Sequence, residues 1–338
     1  MTQTTQGNFK KKLLALAVLA PAMAITACSN DGAYIPGPEL GSKDGNVQDG
    51  YLRGAVVCVD RNQNKDCDAD EKQVDSVAKG AWTLEGLTPR QQRFPLVAKA
   101  IAGKTIDEDA PDAPIVEGFS YTAPASAKVI SILSTIVQTD IESRIAAGET
   151  PAAAEQAAKD KLVADLGIPA DIDLTSFDPV EESGNSGINR DVAVQLRVIN
   201  QVATKQLIQA VKSAPAGSNA AAVAAAATKN VAAKVADTKT VVAEKIAATG
   251  QGVADLDVAE LVSIAQESAE DTRTEVAVVT AEAVAAAEAE IEKAKEVIEE
   301  TIKQEEPELP EDTVEPEEPV EEEPTGGGAV TGGSGGTQ

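Results

Sequence analysis

Histidine is absent from all 338 residues of this chain. That absence removes the usual general base, the imidazole of a nucleophilic triad and the commonest transition-metal ligand together. Aromatic side chains make up only 2% of the sequence, and the 43% that is hydrophobic is largely Ala and Val, so large, well-filled cores are not expected along most of it. Positive charge is scarce as well: 29 Lys and Arg against 55 Asp and Glu leave a net charge of -26. Such a surface repels phosphate backbones and argues against nucleic acid as a partner, whereas cations and basic surfaces suit it. Ser126, Ser131 and Ser134 have no base near them in sequence and read as a cap and small packing residues. No enzyme is expected.

What the chain does have begins at its first residues. A basic cluster (Lys10, Lys11, Lys12) leads into an apolar run from Leu13 to Ala24 and then into Ile25-Thr26-Ala27-Cys28. That order marks residues 1–27 as an export address and not a fold element. The run of about a dozen residues is too short to cross a bilayer core of about 30 Å as a helix. Its last four residues resemble the aliphatic, small, small, Cys box of bacterial lipoprotein precursors. The resemblance implies cleavage before Cys28, fatty acyl chains including palmitate on its sulfur, and, with the non-acidic Ser29 following, an outer-membrane location facing either the periplasm or the exterior. Two cysteines then remain in an exported chain, Cys58 and Cys67, and a disulfide between them is expected.

Residues 28–50 are rich in Gly, Pro, Asp and Asn with no period of two or of 3.6, and read as a flexible tether. From Tyr51 short β-branched runs alternate with turn residues such as Lys79-Gly80 and Glu85-Gly86, which predicts a small antiparallel β-sandwich over residues 51–122 with Trp82, the only Trp, in its core. The order of features in G-A-V-V-C-V-D-R-N-Q-N-K-D-C-D-A-D-E and then K-G-A-W-T-L-E-G-L resembles prealbumin-like repeat modules of bacterial surface proteins. This implies a structural or adhesive module.

Past Ala125 the period turns helical. Val129, Ile130, Leu133, Ile136, Val137 and Ile141 form one apolar stripe, and Thr150-Pro151 opens a second helix that stops at Leu166-Gly167. A loop containing Pro179 precedes a third helix from about Asp191 to Lys212, completing a helical domain over 123–214. Together with the β-module this resembles the N-terminal half of uncharacterised lipoproteins of Gram-negative bacteria. Residues 215–304 are dominated by Ala, Val, Lys and Glu and read as extended helices, with one helix of roughly 75 Å from about Asp255 to Lys303 whose Ala-weighted stripe suits weak packing, coiled-coil contact or self-association. Residues 305–338 read as a disordered acidic and Gly-rich tail. The fold class expected is therefore α+β, strands first and helices after.

One constellation could carry chemistry. Asp60, Asn62, Asn64, Asp66, Asp68 and Glu71 place oxygen donors at positions one, three, five, seven, nine and twelve of a loop, the EF-hand calcium register. Lys65 stands where that register has Gly, and no helices are expected to flank it. The prealbumin-like resemblance implies a calcium loop between strands, with Ca²⁺ as the cofactor. The alternative is a polar turn held by Asx hydrogen bonds and the Cys58–Cys67 bridge. The expected role is that of a lipid-anchored envelope protein, structural or adhesive, with the helices as a surface spacer. The other expectation is a binding module in which residues 125–212 dock a hydrophobic ligand or an envelope protein partner.

Overall fold

In the computed structural model residues 40–305 are described; residues 1–39, with the expected export leader and Cys28, and the acidic segment from residue 306 on lie outside the described residues. The strands are β1 (Gly41–Val47), β2 (Leu52–Arg53), β3 (Val56–Val59), β4 (Gln73–Asp75), β5 (Ala81–Leu87), β6 (Leu96–Ala100), β7 (Ile106–Asp107), β8 (Phe119–Ala123) and β9 (Val129–Ile130). They form three small sheets with strand orders β4-β3-β6-β8, β5-β1-β9 and β2-β7. In the first, the register sets Cys58 opposite Val97 and Val97 opposite Thr122.

Two expectations are corrected here. Residues 41–47, read as tether, are the central strand of a sheet: β1 runs antiparallel to β5 and parallel to β9, so the strand region is mixed and reaches outside 51–122 at both ends. The cause is main-chain pairing. Asn46 N–H donates to Lys128 O (2.9 Å) and Gln48 N–H to Ile130 O (2.9 Å), and neither bond depends on side-chain type.

The helices are α1 (Ile132–Ala146), α2 (Pro151–Leu166), α3 (Pro179–Gly184), α4 (Arg190–Lys212), α5 (Ala220–Ala232), α6 (Val235–Ala248), α7 (Val258–Ala269) and α8 (Ala281–Glu305). Their ends obey local chemistry. Ser131 caps α1 in a capping box with Ser134; Thr150 caps α2, Pro151 begins it, and Gly167 ends it in the left-handed conformation (φ 56°). The loop at Pro179 holds the short α3, capped by Asp178.

The single helix expected over 255–303 is divided in two. Asp257 and Glu260 close a capping box that starts α7, and Asp271 accepts from Arg273 N–H in a 3-10 turn after it ends. The β-branched residues Val276, Val278, Val279 and Thr280 follow, and Thr280 Oγ1 then accepts from Ala283 N–H at the start of α8. Caps and β-branching outcompete alanine's propensity across this gap.

Nor do the Ala-rich helices stand apart. Helix α8 packs against α1 and α5, and α4 against α5, α6 and α7. Ala222, Ala287 and Ala294 are buried at these contacts, where a small side chain lets helix axes approach. Ser143 Oγ donates to Glu290 Oε2 (2.6 Å), and Lys229 pairs with the same carboxylate. One apolar core runs from Val47 and Trp82 through Leu133, Leu196 and Ala265 to Ile302, so strands and helices share their burial.

Candidate functional site

The Asp/Asn loop joins β3 to β4, stapled by the Cys58–Cys67 disulfide (Cα–Cα 5.7 Å). Its carboxylates and amides fold it inward. Asp60 accepts from Asn64 N–H (3.0 Å) and Lys65 N–H (2.9 Å), while Glu71 accepts from Arg61 N–H (2.7 Å) and Asp68 N–H (3.2 Å). Asp68 Oδ2 takes both amide groups, Asn62 Nδ2 at 2.7 Å and Asn64 Nδ2 at 2.8 Å. Five of the six candidate ligands are thus tied together. Asp66 is not among them: its side chain pairs with Lys99 on β6 (2.6 Å) and accepts from Cys67 N–H.

Lys65 sits in the left-handed region (φ 60°), as a glycine would, at a backbone cost of about 1–2 kcal/mol. Its side chain leaves the loop and reaches Glu142 on α1, Nζ to Oε2 2.6 Å, both groups buried, with Gln138 Nε2 also donating to Glu142. The lysine at position six is therefore a tie between the loop and the helical half.

Calcium suits this donor set in kind, since every donor is a hard oxygen. Asp60 is buried, and burial pushes its carboxyl up to about 7, opposed by the Lys65 N–H bond and aided by the Glu71 charge. A cation would relieve that repulsion. Among the described residues, however, no three His, Cys, Asp or Glu side chains converge at metal-binding separation, and the Asn62 and Asn64 amides both donate to Asp68 Oδ2.

The sign of the pH effect follows from Asp60. Its folded value lies above the ordinary one near 4, so its stabilising contribution is complete below about pH 4 and is lost as pH rises to about 7. Calcium bound here would compete with that proton. Melts of the full chain with Ca²⁺ and with chelator are expected to show a midpoint rise that is larger at pH 8 than at pH 5.5; equal midpoints at pH 8 would exclude a stabilising site.

A second polar constellation lies at the seam between strands and helices. Arg197 on α4 forms a buried ion pair with Asp109, Nη2 to Oδ1 2.5 Å and Nε to Oδ2 3.3 Å, and Gln201 Nε2 donates to the same carboxylate (2.8 Å). Arg197 Nη1 also donates to Ser183 Oγ on α3. Nearby, Asp178 accepts from Tyr51 Oη (2.8 Å) and Asn46 Nδ2 (2.7 Å), and Tyr121 Oη and Thr204 Oγ1 lie 2.5 Å apart. Gly50 fits beneath the acids because a Cβ there would lie 2.4 Å from Asp107 Oδ1.

Asp49 completes the cluster. Its Oδ1 is shielded from solvent and has no hydrogen-bond partner, and burial, then the Asp107 charge, push its carboxyl well above the usual carboxylate range. Burial likewise raises Asp107 to about 6. None of these residues stands out in the sequence by motif. A signal does exist: Arg197, Asn200, Gln201 and Thr204 fall at spacings of three, four and seven on one face of the helix, and that polar face is buried.

The third feature is a groove of about 780 Å³ between α1, the start of α2 and the end of α8, with Ile141, Ile145, Ile298 and Ile302 in its walls. Comparison with family models, curated proteins and solved structures found no match for this chain.

Proposed function

We propose that this chain is a lipid-anchored outer-membrane protein with a structural or adhesive role, held by acyl chains on Cys28 and acting through its folded body and not through catalysis. The observation that carries the reading is the order of basic cluster, apolar run and Ile25-Thr26-Ala27-Cys28 immediately ahead of a folded body whose first strand starts at Gly41. Fully extended, the chain from Cys28 to Gly41 reaches at most about 45 Å, so such an anchor keeps the body close to the bilayer. More than one acyl chain would make the attachment stable.

In this reading the strand half serves as a prealbumin-like sandwich, and Asp60, Asn62, Asn64, Asp68 and Glu71 are the residues that would hold Ca²⁺ and stiffen the contact surface. The Lys65–Glu142 pair supports it by linking that loop to the helices. Because α5 to α8 belong to the common core, contact surfaces and not a helical spacer carry the role.

Intact mass spectrometry of the mature protein tests the anchor. The expected species begins at Cys28 and carries fatty acyl mass, and Cys28→Ala is expected to release the protein from the membrane fraction. An unmodified thiol at Cys28, or a retained Met1, would overturn the reading.

A second reading is favoured by the groove: an envelope binding module that takes a hydrophobic ligand against Ile141, Ile145, Ile298 and Ile302. Its volume of about 780 Å³ is within the roughly 300–1,000 Å³ of small-molecule sites.

A further inference from the structure

The groove does not end at its apolar walls. Gln92, Ala125 and Ser126 line it and also line a cleft of about 230 Å³, so the two spaces adjoin at these residues. That cleft holds Lys43 and Lys128. An aliphatic trough therefore lies beside a short cleft bearing two ammonium groups and the Asp44 carboxylate.

Arg93 lines the trough and is engaged, and the other charges at this end are placed as follows. Lys128 pairs with Asp44 (3.0 Å), and both side chains are exposed. The Lys43 ammonium donates to the Ala125 carbonyl and, among the described residues, meets no carboxylate within ion-pair distance. Glu155, the acid in the trough wall, is occupied by Ser126 Oγ (2.6 Å) and Lys159 Nζ (2.9 Å). Burial, then the Lys128 charge, lower Lys43 to about 8, with Glu155 opposing. An anion placed at this end would relieve both effects.

We propose that the groove binds a single-chain anionic amphiphile, a free long-chain fatty acid, with its alkyl chain along Ile141, Ile145, Ile298 and Ile302 and its carboxylate at Lys43. The proposal rests on the second reading above and adds the ligand's class and orientation. Charge complementarity selects it over a neutral lipid: with Lys128 held by Asp44, an uncharged head leaves the Lys43 ammonium without an ion pair among the described residues, whereas a carboxylate supplies one. Alkyl burial supplies affinity in proportion to chain length.

Calorimetric titration of the full mature chain with laurate, below its aggregation concentration, tests this against decanoate and dodecanol. Laurate is expected to bind about fifteenfold more tightly than decanoate, the ~0.8 kcal/mol per buried methylene taken twice. Lys43→Gln is expected to weaken laurate at least tenfold while leaving dodecanol unchanged, and laurate affinity is expected to fall above about pH 8 as Lys43 loses its proton beside Lys128.

Ala152 is exposed on α2 and lines the trough, so Ala152→Phe fills it without touching the core, and should abolish laurate binding with an unchanged thermal midpoint. Equal binding of laurate and dodecanol, indifferent to Lys43→Gln, overturns the anionic ligand and leaves the hydrophobic reading standing. No binding by either probe, or binding that survives Ala152→Phe, overturns both.

Discussion

Replacing Arg197 with Met is expected to destabilise the protein by about 3–5 kcal/mol, the cost of leaving one member of a buried ion pair without its partner. The side chains of Arg197 and Asp109 are 8% and 7% exposed, so water cannot take over the lost interaction. Among the described residues Gln201 would remain as the only side-chain donor to Asp109, one neutral hydrogen bond in place of a bidentate charged one. Ser183 would lose the Arg197 contact at the same time, loosening α3 from α4.

Guanidinium denaturation at pH 7 measures the effect. The double variant Arg197→Met with Asp109→Asn is expected to recover at least half of the loss, because removing the charge removes the desolvation penalty that the single variant leaves behind. A loss below about 1 kcal/mol for Arg197→Met would mean that the seam is wet and not sealed.

Gly45→Ala is expected to cost roughly 3 kcal/mol, at the upper end of ordinary single substitutions. A Cβ at residue 45 would lie 2.0 Å from Lys128 O and 2.9 Å from Trp82 Cζ2. The oxygen is main chain in the segment leading into β9, and Trp82 is locked in the core, so neither can swing aside; β1 would have to separate from one neighbour. The contrast is Gly103, where φ is +74° and no heavy atom lies within 4 Å of the added carbon. Gly103→Ala carries only the left-handed backbone cost of about 1–2 kcal/mol. Thermal melts of the two variants side by side are expected to differ in midpoint by several degrees, and equal midpoints would contradict the close approach of β1 and β9.

Gly45 also explains why part of the fold was hidden from sequence reading. In Gly-Ser-Lys-Asp-Gly-Asn-Val the residues that usually announce a strand are missing, and those that announce a linker are present. Glycine stands there because a neighbouring main chain comes too close for any side chain, a reason visible only when residue 128 is brought beside residue 45. The division of α7 from α8 was partly legible. Asp257 with Glu260 is a capping box, and Thr280 a cap, but alanine content outweighed them in a composition-based reading.

The candidate sites divide in the same way. The Asp/Asn loop was readable because its donors are consecutive in sequence, and the turn that gathers Asp60, Asn62, Asn64, Asp68 and Glu71 is local. The departure of Asp66 was not readable, since Lys99 lies on a different strand. Asp49, Asp107 with Asp109, Asp178 and Arg197 come from four separate stretches, and no spacing rule joins them.

By itself, the sequence determined the acidic balance, the order of strands before helices, the caps of α2, the pairing of Cys58 with Cys67 and the donor loop. Each of these is written in neighbours along the chain, where propensity, capping and charge act over a few residues. Tertiary structure alone decided that residues 41–47 are a strand, that the Ala-rich helices close the core instead of extending from it, that Lys65 reaches Glu142, and that an apolar trough meets Lys43. Those outcomes depend on burial and on main-chain approach between distant segments, which no local pattern encodes.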